Sequence, residues 1–123
     1  MEKLKFIKRQ MAALNIPYEF GAWTGKVTYP YFTGELIEAT PLTEDGKSEA
    51  AFILTGFHKG TYLDLEQIKE KIKNHFDSIT GYAEKTAAGV VVGWYDNAVY
   101  IPQDAADLKV IQINLILKEW KGA

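Results

Sequence analysis

Leu108-Lys-Val-Ile-Gln-Ile-Asn-Leu-Ile-Leu-Lys-Glu-Trp120, "LKVIQINLILKEW", alternates along its length. Ile111, Ile113, Leu115 and Leu117 point one way; Gln112, Asn114 and Lys118 point the other. A period of two with one apolar side describes a half-buried strand at the end of an antiparallel sheet. The apolar side needs a cover, and helices elsewhere in the chain supply it.

The clearest helix follows Asp64. Asp64 and Gln67 have capping-box spacing. Leu65, Ile68, Ile72, Phe76 and Ile79 form the stripe to be buried, and Glu66, Lys69, Glu70, Lys71 and Lys73 take the wet side. Thr80-Gly81 stops it. A second helix occupies the N-terminal segment, where Leu4, Ile7, Met11 and Leu14 recur at helical spacing. Lys3, Lys5, Lys8 and Arg9 lie mostly off that stripe and read as a solvated basic face. Asn15-Ile-Pro17 ends this helix, since proline cannot continue the ladder and restricts the residue before it.

The remaining segments are extended. "PYEF" is a short piece. Tyr29–Thr40 reads as a strand with both faces mixed. Asp45-Gly46 is a hairpin signal, and "AAFILTGFH" is a strand nearly apolar on both sides, suited to a central position. "GVVVGWYD" is a further strand, with Asp96-Asn97 starting a tight turn into "AVYIP". The expected fold is α+β: an antiparallel β-sheet of four to six strands with two α-helices packed on one face. Residues 1–123 make one such domain.

Bulk properties narrow the function. There is no cysteine, which excludes disulfides, thiol catalysis and Cys-ligated metals. A net charge of -2 gives no bulk attraction to nucleic acid or anionic membrane. No apolar run has the length of a signal peptide or membrane span. The expectation is a soluble intracellular protein.

No catalytic constellation assembles. His58 and His75 lack ligand spacing and read as surface or boundary histidines. Ser48 and Ser78 sit in no nucleophile elbow. Glu35 and Glu49 are a carboxylate pair that a hairpin could bring together, but the pattern offers no cleft around them. No catalytic residue, cofactor or metal is expected. The informative set is aromatic. Trp23, Tyr29, Tyr31, Phe32, Trp94, Tyr95, Tyr100 and Trp120 fall in predicted loops and strand ends. Trp and Tyr there supply interface area with a polar handle, or else cap the ends of the sheet. In the stretch "WTGKVTYPYFTGEL" (23–36) four of these rings stand beside Lys26 and two glycines. Trp23, Lys26, Tyr29, Tyr31, Phe32, Trp94 and Tyr95 are the interface candidates.

The N-terminal helix, "IPYEFGAWTGKVTYPYFTGEL", the Asp-Gly hairpin, "LDLEQIKEKIKNHF" and the final strand pair together resemble the tail terminator (tail completion, head–tail joining) family of tailed-phage and prophage structural proteins. The resemblance implies helices on an antiparallel sheet, no catalytic residues, and self-association into a ring, commonly a hexamer. It implies tail-tube and head-connector partners, and residence in the host cytoplasm during assembly and then in the virion tail. A different reading of the same aromatics is a small-molecule or peptide-binding regulatory module with an aromatic groove.

Overall fold

The computed structural model describes residues 2–38 and 47–122. Its elements are α1 (Glu2–Ala13), β1 (Tyr18–Phe20), β2 (Tyr31–Glu38), β3 (Lys47–His58), α2 (Tyr62–His75), β4 (Tyr82–Thr86), β5 (Gly89–Ile101) and β6 (Lys109–Lys121). The fold is α+β. The six strands form one sheet in the order β1-β2-β3-β6-β5-β4.

The sheet is mixed, which corrects the all-antiparallel expectation at one edge. β1 runs parallel to β2, with Tyr18 beside Phe32. Parallel neighbours need a connection that returns across the sheet end, and residues 21–30 provide it. All other neighbours are antiparallel. β3 is central, as its two-sided apolar pattern predicts. β6 is central too, between β3 and β5, and not at the end of the sheet. Alternation reports which face of a strand is covered; it carries no information about lateral position.

One further expectation needs correction in the second half. β5 does not turn at Asp96-Asn97. It continues to Ile101, with a register shift against β6 between Tyr95 and Asn97. The turn-prone residues are used in a bulge, where one extra residue is accommodated without ending the strand. β4 has no strand signature in sequence because "YAEKT" is a short, largely exposed edge. The Asp45-Gly46 turn lies outside the described residues, although the pairing of β2 with β3 is present.

The helices also differ in detail. α2 is capped by Thr61, one turn before Asp64. The Asp64 N–H donates to Thr61 Oγ1 and the Thr61 N–H donates to Asp64 Oδ2, each at 3.2 Å. Asp64 is thus the third residue of the capping box and Gln67 has no part in it. α2 ends at His75, before Thr80-Gly81. The Asp77 carboxylate accepts from the N–H groups of Ile79 and Thr80, which diverts the chain and leaves Ile79 86% exposed. In α1 the buried face is Lys3, Phe6, Ile7, Gln10 and Met11, while Leu4 and Leu14 are only half-buried. Lys3 is therefore not part of a solvated face.

One core joins Phe6, Ile7 and Met11 of α1 and Leu65, Ile72 and Phe76 of the α2 region to alternate strand residues: Phe32, Phe52, Leu54, Val91, Ile111, Ile113, Leu115 and Leu117. This settles the ambiguous faces of β2: Phe32, Gly34 and Leu36 turn toward the core. Phe32 lies across Gly56, its cross-strand partner, so closely that a Cβ there would come 2.4 Å from the ring. The strand residues of opposite parity make up a second sheet face.

Candidate functional site

The second face carries most of the aromatic candidates. Tyr31 begins β2 opposite Phe57 of β3, and their rings stack with centroids 4.9 Å apart. The returning loop lays two more rings on Tyr31: Trp23 at 5.1 Å and Tyr29 at 5.7 Å. The Lys59 ammonium sits 5.4 Å from the Tyr29 centroid, within cation–π range. The loop is tied internally. Trp23 Nε1–H donates to the Lys26 carbonyl at 3.2 Å, and Glu19 accepts from both the hydroxyl and the N–H of Thr24. Lys26 thus acts through its backbone, with its side chain exposed. Burial and the neighbouring Tyr29 phenol both push the Tyr31 hydroxyl pKa up, so the Tyr31 phenol is uncharged at neutral pH.

Strand parity sorts the other candidates. Trp94 and Tyr95 are consecutive on β5 and so face opposite ways. Trp94 is half-buried on the second face, with the Lys118 ammonium 5.4 Å from its ring. Tyr95 packs against the core. Phe32 is fully buried in that core, which removes it from any surface. Trp94 and Tyr95 stand in mid-strand, not at a strand end. The structure therefore brings Trp23, Tyr29, Tyr31 and the Lys26 carbonyl together and sets Trp94 apart on the same face. Phe57 is the member that sequence reading missed. The hairpin register pairing it with Tyr31 was the signal that could have found it.

Across the sheet the second face is organised in rows. Thr33, Thr55, Gln112 and Val99 form one. Glu35, Ile53, Asn114 and Asn97 form the next, where Asn114 Nδ2 donates to Asn97 Oδ1 at 2.6 Å. Ile37, Ala51, Ile116 and Trp94 form an apolar row, followed by Glu49, Lys118 and Val92. Ile37 and Val99 are 55% and 51% exposed, so the face is open at both flanks. The register sets Glu35 opposite Ile53 and Glu49 opposite Lys118. Four residues of β3 therefore separate the two carboxylates, about 13 Å, and they do not pair.

A concavity of about 880 Å³ lies beside α2, lined among others by Pro30, His58, Leu63, Asp64 and Ile68. His58 is buried here, not a surface residue, and its Nε2 is 2.9 Å from Asp64 Oδ2. That hydrogen bond, then the Thr61 N–H, holds the Asp64 carboxyl below the usual carboxylate range. The contact ties the end of β3 to the first turn of α2. None of the interface candidates lines this hollow.

Among the described residues, no group of three or more His, Asp or Glu side chains is placed to hold a metal ion, and no helix is long and apolar enough to cross a membrane. The chain matches no protein-family model and no curated protein sequence.

Proposed function

We propose that this chain is a non-enzymatic virion assembly subunit of the tail terminator or head–tail joining type, forming a ring that caps a tail tube and docks to a connector. Residues of both helix regions join one core with alternate strand residues, and on this reading the second face and the two sheet edges are left for partners. The observation that carries this reading is the Trp23–Tyr29–Tyr31–Phe57 cluster. It is an internally braced aromatic cluster beside the β1 edge, with Tyr29 exposed. Aromatic area of this kind supplies protein–protein hot spots. A ring needs two different surfaces in each contact. The aromatic loop on the β1 side is one, and the β4–β5 edge on the far side of the sheet is the other. The groove reading fares less well on the same geometry, because the concavity beside α2 is not lined by these aromatics.

Sedimentation of the protein alone and with tail-tube protein tests the proposal. The expected result is a closed ring or a tube-bound species that Trp23→Ala disrupts. A chain that stays monomeric and binds neither tube nor connector protein defeats it.

A further inference from the structure

The middle of the second face is not used by that ring contact, and its layout is self-complementary. A recess of about 270 Å³ lies over Ala51, lined by Ile37, Glu49 and Ile116 together with neighbouring backbone. Ala51 is small, while Ile116, its cross-strand partner, stands beside it. On the next row Glu49 is opposite Lys118. Lys118 reaches over the Trp94 ring, and Glu49 makes no ion pair among the described residues, where exposed Glu49 rims the recess. The face thus holds a hole beside a knob and an anion beside a cation, each pair divided between β3 and β6.

We propose that this face docks a second copy of the chain, sheet on sheet, about a two-fold axis running along the strands between β3 and β6. These are the two central strands of six. Such an axis exchanges β3 with β6 and β2 with β5, so each row meets itself reversed. Ile116 of one copy enters the Ala51 recess of the other, Trp94 covers the exposed Ile37, and Lys118 meets Glu49. Each contact occurs twice, as an isologous interface requires.

An axis across the strands is the alternative for face-to-face packing. Placed through the Ala51 row, it would set Glu49 over Ile53 and Lys118 over Asn114, leaving both charges unmatched. The longitudinal axis is the arrangement that satisfies them. Packed sheets sit about 10 Å apart with strands inclined by about 30°, a small displacement near the axis and one that long Lys and Glu side chains bridge. Four strands at about 4.8 Å spacing over about 25 Å of length cover roughly 500 Å² per copy. That is about 1,000 Å² in total, the lower bound for a specific interface, so the dimer is weak and concentration-dependent.

Sedimentation velocity over a concentration series, with melting temperatures recorded for each variant, tests this contact. The wild-type chain should pass from monomer to dimer in about the micromolar range. Ile116→Arg and Ala51→Arg should each weaken dimerisation tenfold or more. Glu49→Lys and Lys118→Glu should each weaken it, and the two combined should restore it. Because Glu49 and Lys118 are also cross-strand neighbours within one chain, an equimolar mixture of the Glu49→Lys and Lys118→Glu chains is the decisive arm: it should dimerise, since each contact between copies again joins opposite charges, and recovery of a pair inside one chain cannot produce that result. A wild-type chain that never dimerises overturns the proposal, as does a dimer indifferent to Ile116→Arg or a double exchange that fails to rescue. A ring-sized species sensitive to Trp23→Ala but indifferent to all four changes would also refute this dimer while leaving the assembly reading intact.

Discussion

Lys3 and Glu119, 116 residues apart in sequence, form an ion pair inside the protein, with the ammonium 3.3 Å from the carboxylate. Both side chains are more than nine-tenths buried, and Lys3 also donates to Ser48 Oγ at 2.6 Å. The pair joins the first helix to the last strand. Removing one partner strands a buried charge. Lys3→Met alone should therefore cost about 3–5 kcal/mol, whereas Lys3→Met with Glu119→Leu should recover most of that loss. Urea unfolding of the three proteins checks both statements; equal destabilisation of the single and double variants would show that packing, not charge, is at stake.

Gly56 leaves room for Phe32. An added methyl would meet the Phe32 ring at 2.4 Å, and the ring is enclosed by core and cannot swing away. Gly56→Ala should destabilise by about 1–3 kcal/mol, the range for overpacking. Gly56→Ala with Phe32→Leu should be less damaging than the two single costs added. Strict additivity in a double-mutant cycle would contradict the contact.

Trp23 and Leu115 are both large and apolar but should answer truncation differently. Leu115 is 1% exposed in the core, so Leu115→Ala should cost about 2–5 kcal/mol. Trp23 rests on Tyr31 at the surface of a loop. Trp23→Ala should leave the melting temperature nearly unchanged while weakening assembly by about 1–4 kcal/mol. Equal melting losses for the two would make Trp23 structural and remove it from the interface.

Acid should loosen the packing of α2 against α1 through His75. Its ring stacks on Tyr82 at 4.3 Å, and its Nε2 lies 2.8 Å from Gln10 Oε1. Gln10 Nε2 in turn donates to Glu84, which is also paired with Arg9. Burial pushes the His75 pKa below its ordinary 6.5. The unfolded chain therefore takes up the proton first. The stability from neutral His75 is complete above pH 6.5 and declines as pH falls from there toward the folded value, by at most about 1.4 kcal/mol per pH unit. Asp64 and Asp77, whose pKa values are lowered, add losses only in the lower carboxylate range. His75→Gln should flatten the slope of melting temperature against pH between about 6.5 and 5; an unchanged slope would assign it elsewhere.

Periodicity alone located both helices, the core side of β6 and the central place of β3, because burial of one face writes itself into residue spacing. It misplaced what depends on partners distant in sequence. Lys3 reads as part of a solvated face, yet it is buried because Glu119 meets it there; Gln10 is buried likewise, between Glu84 and His75. Asp96-Asn97 carries turn chemistry, but pairing with β6 carries β5 past it. The aromatic cluster was half visible: Trp23, Tyr29 and Tyr31 are close in sequence, while Phe57 joins them only through the β2–β3 register. Phe32 and Tyr95 read as interface candidates from their place in predicted loops and strand ends, although strand parity places them on the core side.

The last strand in sequence order, β6, lies in the middle of the sheet and divides it in two. Before β6 is added, β1–β2–β3 and β4–β5 have no shared ladder, and each has an open inner edge able to pair with another molecule. A chain cut before Leu108 should then be a sticky intermediate, not a smaller stable domain. Most of the contacts that define the native state are long-range, a topology that slows folding. Insertion of a single strand between two waiting half-sheets would be the committing step, and a synthetic peptide spanning Leu108–Lys121 should rescue the truncated chain by filling that slot.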